Sequence, residues 1–244
     1  MNKQTMENYE LWKKESLVDE ALTAELKEIE NDEAAINDRF YKELEFGTGG
    51  LRGVLGVGTN RMNVYTVAKA TKGLAKYLLN INKNASVAIA HDSRNNSDVF
   101  SKVAAGVMAS MGIKVYIWKE LMPTPSLSFA VRHFKCDGGI VITASHNPAK
   151  YNGYKVYGSD GCQMTTKAAD AVLGLIGEVD TFKDFELMDF DEGVKKGIIE
   201  IISDEVFDEY IAAVSTQSLA GNDIDKSVKI AYTPLYLSLI HISE

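Results

Sequence analysis

Cysteine is scarce in this chain of 244 residues, because only Cys136 and Cys162 occur. Two cysteines exclude a disulfide framework, and neither has the His and Cys neighbours of a zinc site. No stretch approaches the ~20 consecutive apolar residues of a membrane span. The opening residues, MNKQTMENYELWKKES, also lack the apolar segment of a signal peptide. We therefore expect a cytoplasmic protein without a membrane partner.

Basic residues are also in deficit. The chain has 26 Lys and Arg against 34 Asp and Glu, a net charge of −8. That balance argues against a general nucleic-acid binder. It does not exclude a small anionic substrate, because a few local cations and backbone N–H groups suffice to bind one.

The residues that are present predict an α/β domain. Residues 6–45 contain no Gly or Pro, which predicts an N-terminal helical arm of two helices with a break near Asn31. Residues 46–58 carry too many glycines for a regular helix. Short apolar strands then alternate with helices, which predicts a mixed sheet flanked by helices. The predicted strands are 87–90, 113–118, 138–144 and 227–233, and the predicted helices are 64–80, 97–111, 123–134, 165–177 and 203–216. Ser97 is predicted to cap its helix, and Gly112 to end it.

Two polar segments follow predicted strands, and function in such sheets collects at the carboxyl ends of strands. They are 91–94 and 143–147. The second opens the stretch TASHNPAKYNGYK, residues 143–155. One interpretation is an ordinary turn of Ser, Asn and Pro. A Ser-His hydrolase is disfavoured, since adjacent side chains diverge in extended chain and no Gly-x-Ser-x-Gly elbow occurs.

A third interpretation is phosphoryl transfer. Ser145 lies at the tip of a strand, and backbone N–H groups of the loop could converge on a phosphate. Lys155 lies ten residues further on and could supply a cation or carry a proton. Arg52 follows the glycine-rich stretch, where the backbone can approach a phosphate closely and a guanidinium can bind it in two places.

Several motifs in order resemble one family. TASHNPAKYNGYK resembles the signature of the α-D-phosphohexomutase superfamily, the phosphoglucomutases and phosphomannomutases. EFGTGGLRG (45–53), GTNRMN (58–63), AHDSR (90–94), PTPSLSFAVR (123–132) and GYKVYGSDG (153–161) resemble further motifs of that family in the same order. The set is most similar to the bacterial α-phosphoglucomutase branch. The resemblance extends from about residue 10 to 236.

The resemblance implies roles for particular residues. Ser145 would carry a phosphoryl group, and His146 would position the substrate or help to transfer a proton. Lys155 would act as general acid/base or as a cation, and Arg52 would bind phosphate. The expected set of residues that bind the substrate or its phosphate is Thr48, Gly49, Gly50, Arg52, Asn147 and Lys155. Asp92 and Arg94 either take part or only order the site.

The resemblance also implies a cofactor, an activator and a substrate. Mg²⁺ would be held by the phosphate on Ser145 together with three aspartates of a loop that is not in this sequence. Glucose 1,6-bisphosphate would be the activator, and a phosphorylated hexose the substrate. The expected reaction interconverts glucose 1-phosphate and glucose 6-phosphate. Phosphomannomutase, phosphopentomutase, glucose bisphosphate synthesis and a standalone phosphosugar-binding module remain alternatives.

The same resemblance predicts the domain organisation. We expect an arm over 1–45, a domain with the catalytic serine over 46–216, and a linker with the first strand of a second domain over 217–236. Residues 237–244, LSLIHISE, resemble translated adapter DNA used in sequencing libraries, so we expect a non-native tail. The chain is thus expected to be an N-terminal fragment that is inactive alone.

Overall fold

The structure is a computed structural model that describes residues 2–15, 17–47, 49–219, 227, 229 and 231. Its helices are α1 (Lys3–Lys14), α2 (Glu20–Glu28), α3 (Glu33–Phe40), α4 (Val64–Ile81), α5 (Ser97–Ser110), α6 (Thr124–His133), α7 (Thr166–Gly177), α8 (Phe190–Lys195) and α9 (Asp204–Ser215). Its strands are β1 (Gly50–Val54), β2 (Ser86–His91), β3 (Lys114–Ile117), β4 (Gly138–Ile142), β5 (Tyr151–Gly158) and β6 (Ile199–Ile201).

The six strands form one mixed sheet in the order β1-β5-β4-β2-β3-β6. β4, β2, β3 and β6 run parallel, whereas β5 is antiparallel to both β4 and β1. Every residue of β4 is buried, as its continuous apolar run predicts for a central strand with both faces covered. The predicted mixed sheet flanked by helices is confirmed.

Apolar side chains form two cores, one on each face of the sheet. Alternate residues of β2 face opposite ways, since side chains of a strand alternate. Val87 and Ile89 join the larger core with α4, α5 and α7. Ala88 and Ala90 join the smaller core with α6 and the start of α9. α4 packs on α7 at Gly73, where an added Cβ would lie 2.4 Å from Cγ1 of Ile176.

The N-terminal arm has three helices, so the prediction of two is wrong. The additional break lies between α1 and α2, where Glu15 is extended and Asp19 caps the next helix by accepting a hydrogen bond from the amide of Ala21. The predicted break near Asn31 is confirmed, because Asp32 caps α3. Backbone geometry and caps end these helices, although no Gly or Pro intervenes.

Aromatic packing fixes the arm to the sheet domain. Trp12 of α1 lies fully buried between Phe40, Tyr65 and Phe182, with ring centroids 5.3–5.9 Å away. The hydroxyl of Tyr65 also accepts the amide of Val18 at 2.8 Å. Arm and domain thus share one core.

Other predicted elements agree with the structure except in detail. The predicted cap of α5 is wrong: Asn96, with φ of +65°, precedes the helix, and the Ser97 hydroxyl instead donates to Asp92 at 2.8 Å. Gly112 ends α5 with φ of +79°, as predicted. Strands β1, β5 and β6 and helix α8 were not predicted. The expected tail 237–244 lies outside the described residues. The expected strand at 227–233 also lies outside them, except for residues 227, 229 and 231. Among the described helices, none is long and apolar enough to cross a membrane.

Candidate functional site

The two polar segments lie side by side at one edge of the sheet, as predicted from the ends of their strands. β2 and β4 are parallel neighbours, with His91 opposite Ile142. The amide of Asp92 continues the ladder by donating to the carbonyl of Ile142 at 3.1 Å. The segments 91–94 and 143–147 are therefore in contact.

Ser145 is the most unusual residue of this edge, because its φ is +57°. The left-handed region costs an L-residue roughly 1–2 kcal/mol. Two local hydrogen bonds define the turn: the hydroxyl of Thr143 accepts the amide of Ser145 at 3.0 Å, and the side-chain amide of Asn147 donates to the carbonyl of Ala144 at 2.8 Å. The segment is a turn, as the first interpretation holds, and one with a strained serine at its tip. Such strain concentrates at functional sites.

The side chain of His146 lies close to that of Ser145. Ser145 Oγ and His146 Nδ1 are 3.4 Å apart, so the expectation that these side chains diverge is wrong. Divergence applies to extended chain, and Ser145 is not extended. The distance is too long for a strong hydrogen bond between a nucleophile and its base. His146 is exposed beside the hydroxyl, where it could contact a substrate.

Strand β5 brings Lys155 back to the serine loop. Gly153 of β5 accepts the amide of Thr143 at 3.0 Å, and Lys155 pairs with Val141. The alternation in YNGYKVYG, with Asn152, Tyr154 and Val156 buried and Lys155 half-buried, is the signal that could have predicted this strand.

The glycine-rich stretch lies along the other side of β5. Gly50 pairs with Lys155, and Gly49 accepts the amide of Val156 at 2.8 Å. A Cβ on Gly50 would lie 2.1 Å from the carbonyl oxygen of Tyr154, so this contact requires glycine. Gly50 thus lies directly beside Lys155, and Gly49 lies next to it along the chain. Thr48 lies outside the described residues.

Two cations lie on one face of this part of the sheet. Arg52 pairs with Gly153 across β1 and β5, so Arg52 and Lys155 are diagonal neighbours on the same face. Arg52 is exposed and Lys155 half-buried. Over the part of the chain that the structure describes, neither side chain has a hydrogen bond or an ion pair. Two unpaired cations at diagonal positions favour an anion between or above them.

Arg94 contacts the serine loop more extensively than any predicted site residue does. Its Nη2 donates to the carbonyls of Ser145 and Asn147, each at 2.5 Å. Its Nη1 donates to the carbonyls of Pro148 at 3.2 Å and Tyr151 at 3.1 Å. Of the two roles expected for Arg94, taking part in the site or only ordering it, these contacts fit a residue that orders the loop.

Asp92 belongs to the same ordered network. Its carboxylate accepts the amide of Arg94 at 3.0 Å and the hydroxyl of Ser97 at 2.8 Å, and its second oxygen lies 3.6 Å from Arg94 Nε. Ser97 Oγ in turn accepts Nδ2 of the fully buried Asn152 at 3.0 Å. The turn after β2 therefore holds both the serine loop and β5. Asn152 was missed, because nothing in its sequence neighbourhood indicates a partner 55 residues away.

Two titratable groups are buried beneath the site. Burial lowers the pKa of His91, at the end of β2, and raises the pKa of Tyr154 in β5. Among the residues that the structure describes, His91 Nδ1 has no hydrogen-bond partner, and the buried Tyr154 hydroxyl has the Thr71 side chain as its polar neighbour. Burial thus disfavours the charged form of both groups.

A metal site is not complete within these residues. In the ranges the structure describes, no group of three His, Cys, Asp or Glu side chains could hold a metal ion. Asp92, the carboxylate of the network, is already engaged by Arg94 and Ser97. The residues present do not by themselves fit Mg²⁺.

Comparison with known proteins decides the family. Residues 43–182 match the phosphoglucomutase/phosphomannomutase family, alpha/beta/alpha domain I. The chain belongs to the phosphohexomutase superfamily. This match includes the glycine-rich stretch, the serine loop and β5, so the segments assembled at the site all lie within the family domain.

Phosphohexomutase relatives extend the similarity over most of the chain. A phosphoglucomutase of Staphylococcus saprophyticus is 38% identical over 219 residues, which are 90% of this chain and 39% of the relative. A phosphoglucomutase of Staphylococcus aureus is 35% identical over 228 residues, 91% of this chain and 40% of the relative. The chain thus spans about two fifths of the length of these relatives.

Solved phosphohexomutase structures share the fold. A candidate phosphomannomutase from Thermus thermophilus is 31% identical with a TM-score of 0.61, over 72% of this chain and 36% of that one. A phosphoglucomutase from Paramecium, pp63/parafusin in its open form, has a TM-score of 0.55 at 14% identity, over 73% of this chain and 36% of that one. The second likeness bears on fold alone.

Proposed function

We propose that this chain supplies the phosphoserine part of a phosphoglucomutase, with Ser145 as the phosphoryl carrier. The observation that carries the proposal is the position of Ser145 at the tip of a strained turn, in the same sheet region as Arg52 and Lys155, two cations without a partner among the described residues. Charge stabilisation and positioning supply most of phosphoryl-transfer catalysis. The names of the Staphylococcus relatives support glucose phosphates as substrates.

The proposed reaction moves one phosphoryl group in each half of a cycle. The bond from phosphorus to Ser145 Oγ breaks while a new bond forms from phosphorus to a sugar hydroxyl. The proton of that hydroxyl ends on Ser145 Oγ, and Lys155 is the group proposed to relay it. The bisphosphorylated sugar then returns its other phosphoryl group to the serine, with the proton moving back. The net change is transfer of phosphate between the 1 and 6 positions of glucose.

The remaining predicted residues have supporting roles in this proposal. Arg52 binds the phosphate with its guanidinium, and Gly49 and Gly50 let the backbone approach it. His146, beside the hydroxyl, positions the substrate or helps to transfer the proton. Asn147 binds the substrate or its phosphate, and its bond to Ala144 also shapes the loop. Thr48 is proposed as a further phosphate ligand.

Mg²⁺ and glucose 1,6-bisphosphate enter the proposal through the family. Family membership supports dependence on Mg²⁺, which would contact the phosphate on Ser145. The described residues do not complete a metal site, and the proposed steps use only the chain's own side chains. The bisphosphate is the proposed source of the first phosphoryl group on the serine.

A phosphomannomutase is the second candidate. It is favoured by the similarity to the candidate phosphomannomutase of Thermus thermophilus. The two candidates share every step at Ser145 and differ only in the sugar. They can be separated by comparing mannose 1-phosphate with glucose 1-phosphate in one assay.

The test uses residues 1–244 alone and an extended chain, in which the downstream part of the Staphylococcus saprophyticus phosphoglucomutase follows residue 219. Each is incubated with Mg²⁺, glucose 1,6-bisphosphate and glucose 1-phosphate, and glucose 6-phosphate is measured by a coupled assay. The resemblance leads us to expect turnover from the extended chain only. Peptide mapping of that chain should locate stable phosphate on Ser145.

Variants of the extended chain give the residue-level test. Ser145→Ala should abolish turnover, whereas Ser159→Ala, on an exposed turn after β5, should leave it unchanged. Arg52→Ala and Lys155→Ala should each lower the rate by ~10²–10⁴. Phosphate found on Thr143 or Ser159 instead, or turnover by Ser145→Ala, would refute the assignment. Titration of residues 1–244 with glucose 1-phosphate tests the remaining alternative, a binding module without turnover.

A further inference from the structure

We propose that Arg94 is a positioning residue that sets the conformation of the serine loop for phosphoryl transfer. The inference rests on the proposed function of Ser145. Arg94 is not offered as a ligand of the substrate, because its donors are already occupied within the protein. Four loop carbonyls surround its guanidinium, and the carbonyl of Ser145 itself is one of them.

The geometry of these contacts requires an arginine. The two Nη atoms carry four N–H donors in a fixed plane, and each atom contacts two carbonyls of residues between 145 and 151. Lysine offers three donors from a single point and cannot span the same set. The side chain is only 8% exposed, so water does not replace these contacts.

Arg94 is itself held in place by the turn that follows β2. Asp92 accepts the Arg94 amide, and its second carboxylate oxygen forms an ion pair with Nε at 3.6 Å. Asp92 is tied through Ser97 to the buried Asn152 of β5. Arg94 and its partners therefore connect the serine loop to β5, the strand that carries Lys155.

Because the backbone of Ser145 is strained, the position of its hydroxyl depends on the contacts from Arg94. A serine with φ of +57° leaves the left-handed region when nothing holds it, because other regions are favoured for L-residues. Arg94 holds the carbonyl of that same residue at 2.5 Å. If Ser145 relaxed, its Oγ would move relative to Lys155. Displacement of a reacting group by about 1 Å can cost ~10²-fold in rate.

The first measurement needs no catalytic activity. Amide hydrogen exchange of residues 1–244 is compared for wild type, Arg94→Met and Arg94→Lys. We expect Arg94→Met to speed exchange at the amides of Asn147 and Tyr151 at least tenfold, with little change in β4. Arg61→Met is the matched control, since Arg61 is 9% exposed and also bonds backbone carbonyls, namely those of Asp38 and Asn60. It should not change exchange in the serine loop.

The second measurement uses the extended chain at a temperature where every variant is folded. Arg94→Met should lower kcat by ~10²-fold with KM changed less than about threefold, because the residue acts on the position of Ser145 and not on substrate binding. Arg94→Lys should recover part of the loss. Millimolar guanidinium should partly rescue Arg94→Ala, and Arg61→Met should keep the wild-type kcat.

The outcomes separate the two proposals. Faster loop exchange without a fall in kcat would overturn the positioning role, and so would a loss confined to KM or shared by Arg61→Met. Unchanged exchange in Arg94→Met would show that the arginine does not hold the loop. An inactive wild-type extended chain would refute the proposed function, and the exchange measurement would still decide whether Arg94 holds the loop.

Discussion

Replacing Gly153 by alanine should destabilise the sheet at the site. Gly153 lies in β5 between β4 and β1, and it accepts the amide of Thr143 at 3.0 Å. An added Cβ would lie 2.5 Å from the carbonyl oxygen of Thr143 and 3.0 Å from that of Leu51. Both contacts are with backbone, so no side chain can rotate away. The strands themselves would have to separate.

The size of the effect follows from that overlap. Carbon and carbonyl oxygen normally approach to about 3.3 Å, so the contact with Thr143 is too close by ~0.8 Å. Overpacking of this kind costs ~1–3 kcal/mol, and weakening the bond from Thr143 to Gly153 adds about 1 kcal/mol. The free energy of unfolding should fall by roughly 2–4 kcal/mol. For a domain of this size the Tm should fall by roughly 5–15 °C.

Thermal and urea unfolding of residues 1–244 followed by circular dichroism provide the assay. Gly174→Ala is the matched control, because Gly174 lies inside α7 with open space around its Cα. That change should stabilise the protein by about 0.5–1 kcal/mol, through lower backbone entropy of the unfolded chain. If Gly153→Ala melts within about 2 °C of the wild type, the close pairing of β5 with β4 and β1 is wrong.

Two further predictions concern buried side chains. Cys136 is buried and its thiol pKa is raised to about 11 by burial, whereas Cys162 is exposed. A thiol reagent should therefore modify Cys162 rapidly in the folded chain and Cys136 only on unfolding. Cys162→Ser should remove the rapid phase. Rapid modification of both thiols would contradict the burial of Cys136. Burial lowers the pKa of His91 below its usual 6.5 in the folded chain. At a pH between the lowered pKa and 6.5, the unfolded chain binds a proton that the folded chain does not. The free energy of unfolding should therefore fall as the pH drops through 6.5. His91→Gln should flatten that part of the stability curve measured by urea unfolding from pH 7.5 to 5, and an identical slope in both proteins would show that His91 is not the group responsible.

Local patterns in the sequence were sufficient for much of the fold. The apolar run of β4 predicts a strand covered on both faces, and it is one. The predicted helix 64–80 is α4, which begins after the capping residue Asn63. Gly112 ends α5 because a left-handed residue is needed there. Each of these features depends on residues within a few positions along the chain, so each can be predicted from the sequence alone.

The arm and the missed strands show where local patterns were insufficient. Residues 6–45 were predicted as two helices because the segment has no Gly or Pro and many strong helix formers, yet α1 ends at Lys14 and α2 begins only at Glu20. The Val18 amide of this break bonds the hydroxyl of Tyr65, 47 residues away. β1 was not predicted because its segment is rich in glycine, which is uncommon in strands. In the structure glycine is needed there, since β1 approaches β5 closely.

The class of fold and the chemical groups of the site could be taken from the order of residues, because the strand-forming runs, the serine, the lysine and the arginine after the glycines are all local features. The arrangement of these groups in space depends on the folded chain. The register of β5 puts Lys155 beside Gly50 and on the same face as Arg52. Arg94 meets the carbonyl of Ser145 across 51 residues of chain, and this contact accompanies a φ that serine does not adopt by preference. Strand register and converging carbonyls arise from packing between distant segments, and periodicity along the chain does not encode them.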